Sequence, residues 1–326
     1  KMLRLPKKTF NKHALPHIAL VTVSLIWGFA SPIIKLTLND LPVFSFLLYR
    51  FLVVCVVLLP YLFFELKRDP IHKKDIKNLV ILSIASQVSI AFIFLGLKFT
   101  TALDAAVIGV ISPILTFAAG AYFYNEKTTK MEELGILLAI IGTLLVVIEP
   151  ILVKNHSAQT LERIFGNFLV LLYQFSWPVY IILSKTMLGQ NSKNTKKAFK
   201  FLHLPKFQKK YKPSTITLVS FYIGLVFFIP MAIAESFLSP ASVELTGTAV
   251  IGIIYMAIFS SIIAYGLYQW AVKYLEAQET ASYAYLTSIF TIPAAFILLG
   301  EIPTQTMIVG AAIISVGVII AEKYKS

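Results

Sequence analysis

WGFASPIIK (Trp27–Lys35) and WPVYIILSK (Trp177–Lys185) read as one phrase written twice. Each lies in an apolar run long enough to cross a bilayer, and each opens one half of the chain. A second pair closes the halves. NEKTTKMEELGILLAIIGTLL (125–145) aligns with GEIPTQTMIVGAAIISVGVII (300–320), setting Glu126 against Glu301, Gly135 against Gly310 and Gly142 against Gly317. A membrane chain built twice from one unit points to transport, because two similar halves can rock about a site between them.

Composition agrees. Of the 326 residues, 57% are hydrophobic and 14% charged, whereas soluble domains carry about 25% charged residues. Apolar length and breakers place spans at 17–38, 43–65, 76–97, 103–124, 131–152, 166–188, 214–236, 246–271, 278–299 and 304–321. The expected fold is therefore an all-α polytopic membrane protein. Its ten transmembrane helices form two five-helix repeats, 1–152 with a basic N-terminal tail and 153–326 with a basic loop over 191–214.

Charge sets the direction. With the N-terminus inside, most Lys and Arg fall in cytoplasmic connections, and the outer ones hold only Lys98, Lys154 and Arg163. Both termini are then cytoplasmic, in a multi-pass protein of the cell membrane. Five helices per repeat is an odd number, so the second repeat enters the membrane opposite to the first. That is an inverted repeat.

The net charge of +13 raises nucleic acid as a partner, but its distribution between apolar runs explains it as topology. The tail KMLRLPKKTFNKH resembles a signal-peptide n-region, yet a run of about 20 apolar residues exceeds an h-region. The single cysteine, Cys55, has no partner for a disulfide within the chain. No nucleotide-binding P-loop and no HExxH motif appear, so the expectation is no enzyme, no metal and no cofactor.

Several motifs together resemble the drug/metabolite transporter superfamily, in particular its EamA-type ten-helix members. They are Trp27-Gly28 followed by Lys35, the Arg50 of LPVFSFLLYRF, and the small-residue fourth helix with Pro113 before Glu126. The second-half copy of that helix runs from Ala277 to Glu301. The resemblance implies a basket of ten helices around a central cavity that passes small organic solutes. Two departures stand out: Pro178 replaces the glycine after the first tryptophan, and Ser288 stands where the first half has Pro113.

Polar groups within a span are costly unless paired or facing a cavity. Those best placed to line a substrate site are Trp27, Arg50, Ser86, Gln87, Ser112, Gln174, Trp177, Tyr180, Tyr265, Gln269, Tyr285 and Ser288. Serines also serve close helix packing, and aromatics the membrane interface. Arg50 reads either as an anion anchor or as a structural arginine bonded to carbonyls, within snorkelling reach of the outer end. Glu126 and Glu301 suit helix N-termini, and the paired glycines suit close helix contact. No carboxylate falls near the midplane, which disfavours cationic cargo.

The sequence thus predicts a secondary transporter or facilitator of small organic metabolites, working by alternating access. The favoured task is export of amino acids or related zwitterions. The alternative is exchange or import of anionic nucleotide-like or phosphorylated metabolites, with Lys35 and Lys185 beside Arg50. Expected partners are a small-molecule substrate and the lipid bilayer, with no nucleic acid, in a monomer or homodimer.

Overall fold

In hydrocarbon the backbone must satisfy itself, so apolar runs of this length become helices. The computed structural model describes residues 14–124, 129–153, 158–187, 208–209, 211–238, 244–271, 274–275 and 277–323. The N-terminal tail, Glu126, the Lys185 side chain and most of the 191–214 loop lie outside that description.

The ten expected spans correspond to α1 (Ala14–Thr37), α2 (Val43–Arg68), α3 (Ile76–Phe99), α4 in two pieces (Ala102–Gly109 and Ser112–Tyr124) and α5 (Lys130–Val147). The second half supplies α6 (Ala158–Met187), α7 (Pro213–Leu238), α8 (Gly247–Ala271), α9 (Ala277–Leu299) and α10 (Gln305–Lys323). A short helix, Glu149–Val153, follows α5. Five of these helices are long and apolar enough to cross a bilayer by length and composition, and shorter apolar segments lie in α4, α9 and α10.

Three spans depart from the continuous helices expected of them; the fifth ends at Val147, with Glu149–Val153 a separate short helix. The fourth span breaks at Val110–Ile111, because Pro113 has no N–H to donate and its ring crowds the carbonyl of Gly109. The eighth span passes through a π-helical stretch, Tyr255–Ile263, where the Ala264 amide bonds the Phe259 carbonyl five residues back.

Inversion is visible in how equivalent helices meet. Helix α2 crosses α7 antiparallel: Glu65 meets Thr215, Cys55 meets Tyr222, and the amides of Phe44 and Ser45 meet Glu235. Helix α5 crosses α10 the same way, with Gly135 against Gly317 and Gly142 against Gly310. These are the glycines paired by the repeat, with their partners exchanged as a two-fold axis requires. The other pairings follow suit: α3 with α6 answers α1 with α8, and α2 with α8 answers α3 with α7.

Between α5 and α10 the backbones touch. A Cβ on Gly317 would lie 2.6 Å from both the Ala139 nitrogen and the Gly135 oxygen. Small residues at such crossings let backbones approach where lipid supplies no hydrophobic drive. Away from this seam, Phe46, Phe51, Phe94 and Phe228 fill the core, with Phe46 edge-on to Phe94 at 5.2 Å and Phe51 against Phe228 at 5.4 Å.

Gly317→Leu should cost about 1–3 kcal/mol or more by overpacking. It would read as a lower unfolding temperature and aggregation on size-exclusion chromatography. Gly266→Ala, where an added Cβ meets nothing within 4 Å, should leave both unchanged.

Candidate functional site

Polar side chains from both repeats converge midway along the bundle. Ser86, Gln87 and Ile90 on α3 share one helical face, and Trp177 and Tyr180 on α6 face them. Thr217, Ser220 and Phe221 on α7 close one side, and Tyr265 on α8 the other. The space is narrow: atoms leave about 310 Å³ open, mouth included, with room between the rings for water-sized groups. Trp177 and Tyr180 pack tilted at 5.4 Å, and Tyr265 meets Phe221 edge-on at 6.0 Å.

Gln87 is the most constrained of these groups. Its Nε2 donates to the Ser220 carbonyl at 3.0 Å, and the Ser83 and Ser220 hydroxyls bond at 2.9 Å. Gly224 makes room for the amide, since a Cβ there would lie 2.7 Å from the Gln87 Cδ. The Gln87 Oε1 is buried and has no hydrogen-bond partner among the described residues. A buried acceptor left without a donor costs about 1–3 kcal/mol. Gln269 reaches the same wall, donating to Thr217 at 3.3 Å.

Arg50 lies just beyond Ile90, Phe221 and Tyr265. It is 4% exposed, so it does not snorkel to the outer end. Nor does it bond carbonyls: its Nε and Nη2 both donate to the Ser261 hydroxyl, at 3.0 and 2.9 Å. The guanidinium sits 5.5 Å from the ring centres of Phe51 and Phe94. Tyr265 and Tyr173 are within its electrostatic reach, and no carboxylate pairs with it among the described residues. The π turn sets this contact, because Ser261 donates onward to the Met256 carbonyl five residues back.

The other expected residues fall in two places. Trp27 stands behind the cavity wall, packed on Tyr265 (5.4 Å) and Tyr268 (5.7 Å), with its Nε1 on the Ser260 carbonyl. Gln174 and Ser288 meet at the α4 break, where a Cβ on Gly109 would lie 3.7 Å from the Gln174 Nε2 and 3.5 Å from the Ser288 Oγ. Ser112 and Tyr285 do not join the cavity lining. The residues missed from sequence are Ile90, Thr217, Ser220 and Phe221, the first and last of them apolar. Their available signal was Thr217, Ser220 and Gly224 at steps of three and four on an otherwise apolar helix.

Polar networks close both ends. At the far end, Arg163 grips Asp104 with two bonds (2.6 and 2.9 Å) and lies 3.0 Å from Glu149. Thr304 donates to Glu149, and Thr100 bridges Asp104 and Asn167. Glu301 caps the N-terminus of α4 through the amides of Ala102 and Leu103, so it serves a helix of the other repeat rather than its own successor. Lys35 ends here too, donating to the Leu97 carbonyl.

At the N-terminal end, Asp69 accepts from Lys209, the Thr215 hydroxyl and the Lys212 amide. Burial opposes its charge, but these donors outweigh it and hold the carboxyl below its usual value. Tyr211 donates to Asp75 at 2.7 Å, and burial with that neighbour pushes its phenol up to about 12.

The profile of the EamA-like transporter family matches residues 14–148 and 164–322. An uncharacterized transporter of Archaeoglobus fulgidus is 28% identical over 303 residues, covering 93% of this chain and 95% of its own. A probable amino-acid metabolite efflux pump of Salmonella typhimurium is 26% identical over 313 residues, 93% of each chain. Its counterpart of the same description in Escherichia coli is 25% identical over 311 residues, again 93% of each. A crystal structure at 15% identity aligns over 96% of this chain and 99% of its own with a TM-score of 0.57, a likeness of fold alone.

Arg163→Met would leave Asp104 and Glu149, both fully buried, without their cation. The expected cost is about 3–5 kcal/mol, read as lost thermal stability in detergent, with Arg163→Lys intermediate. Asp69 supplies a pH test. Its lowered carboxyl gives stabilisation that is complete above about pH 4 and is lost as pH falls through the folded-state value. Asp69→Asn should therefore melt earlier than the wild type at pH 7, with the gap closing toward the acid end.

Proposed function

The chain belongs to the EamA-like transporter family, and on that premise we propose that it is a secondary transporter exporting amino acids or related zwitterionic metabolites by alternating access. The basic, N-terminal end of the bundle faces the cytoplasm, following the bias of Lys and Arg in the sequence. Cargo enters there, reaches the cavity between the repeats, and leaves when the far-end network opens.

One observation carries the reading. A cavity with polar groups in a largely apolar lining is assembled from α3 of one repeat and α6, α7 and α8 of the other, with polar networks at both ends of the bundle. Rocking the repeats would break one network at a time while the cavity walls turn about the site. The efflux-pump names of two relatives agree with amino-acid cargo. A second reading, exchange or import of phosphorylated or nucleotide-like anions, draws on Arg50, which bonds the Ser261 hydroxyl and has no carboxylate partner among the described residues.

Purified full-length protein in liposomes preloaded with labelled amino acids should release at least one of them, saturably and faster than empty liposomes. Absence of flux for every amino acid and related metabolite tested, with folded protein, sinks the reading. Trp177→Ala should slow that flux about 3- to 10-fold, the worth of one aromatic contact. Phe237→Ala, at a side chain 82% exposed, should leave it unchanged.

A further inference from the structure

The two-fold axis relates two polar crossings that flank the cavity. On one side α2 meets α8, and Arg50 holds Ser261. On the other side α3 meets α7, and Gln87 holds Ser220. Each crossing has capacity left over. Arg50 keeps a full positive charge, as guanidinium does in proteins, with one neutral hydroxyl as its polar contact. Gln87 keeps a buried carbonyl oxygen without a donor among the described residues. Gln87 stands in the cavity lining, and Arg50 stands one layer behind it.

Resting on the exporter reading above, we infer that Arg50 anchors the substrate's carboxylate and that Gln87 Oε1 receives its amino group. Arg50 lies one layer behind the cavity lining toward the far end, and the lining side chains part to admit a carboxylate to it. It touches Phe51, Phe94 and Ser261, each one helical turn or one ring contact from a cavity-lining residue (Phe221, Ile90 and Tyr265 respectively). A carboxylate offers the guanidinium two oxygens in a plane where Ser261 offers one. Arriving cargo therefore displaces the hydroxyl, and Ser261 retains its bond to the Met256 carbonyl within the π turn. An ammonium at the other end needs an acceptor. No carboxylate lines the cavity among the described residues, and the Gln87 oxygen supplies a neutral acceptor. The cargo is thus a small zwitterion with one carboxylate; Lys35 is tied to Leu97 at the far end, so among the described residues no second cation stands beside Arg50 for a phosphate dianion.

The test uses full-length protein in detergent and three probes: L-phenylalanine, L-phenylalaninamide and phenylpropionate. Wild-type protein should bind phenylalanine about 10- to 100-fold more tightly than its amide, the worth of a charge-assisted bond. Arg50→Gln should erase that preference while leaving affinity for the amide within about twofold. Gln87→Leu should erase the preference for phenylalanine over phenylpropionate and keep that over the amide. Should Arg50→Gln fail to fold, Ser261→Ala carries the test: it removes the competing hydroxyl and should tighten phenylalanine binding severalfold with no change for the amide.

Unaltered preferences in these variants overturn the inference, as does wild-type protein that binds none of the probes or prefers inorganic phosphate. Flux of a neutral or cationic solute in the liposome assay would then leave the transporter reading standing without this one. Loss of all flux removes both.

Discussion

Everything in this bundle follows from one constraint: within hydrocarbon a polar group must find its partner inside the protein. The backbone meets it by turning every span into a helix. Charged side chains meet it by retreating to the two ends, where Asp104, Glu149 and Arg163 form one network and Asp69, Asp75, Lys209 and Tyr211 form part of another. What remains in the middle, among the described residues, is a short inventory of neutral groups and one arginine. Such a distribution makes the middle chemically legible, because any unmet capacity there is conspicuous.

The same constraint explains the seam. Lipid gives helices no reason to associate beyond packing and a few hydrogen bonds, so contact has to be close to count. The α5–α10 crossing reaches that closeness through four glycines, two from each repeat. It lies on the symmetry axis together with α2–α7, whose ends are pinned by Glu65 and Glu235. Motion of one repeat against the other has these two crossings as its natural bearings. The far-end closure lies off them, whereas the Asp69 network sits at the end of the α2–α7 crossing, where Thr215 bonds both Glu65 and Asp69.

Sequence showed the architecture well because periodic apolar length, loop charge and duplication are global signals. Ten helices, their inversion and the glycine seam needed no side-chain geometry. The cavity was legible where a residue type is costly in lipid: Gln87, Trp177, Tyr180 and Tyr265 announced themselves. Thr217 and Ser220 did not, because small hydroxyls can bond their own helix and so carry little signal. Arg50 was visible as a charge but not as a neighbour of Ser261. That pairing depends on the π turn of α8, for which a run such as YMAIFSSII holds no cue. The break in α4 was written in Pro113 and was passed over because the surrounding residues stay apolar. Glu301 was rightly placed at a helix start, but distance in sequence hid which helix.

The π turn has a consequence for how cargo is oriented. A solute seated on a true two-fold axis would have two poses of equal energy, related by half a rotation, and would cross the membrane head-first or tail-first indifferently. In α8 the winding is loosened over Tyr255–Ile263, whereas its counterpart α3 is α-helical from Ile76 to Phe99. That winding sets Ser261 against Arg50 at one crossing, while the equivalent crossing holds the amide of Gln87 against Ser220. The degeneracy is lifted, and a polar molecule in this chamber acquires a front and a back.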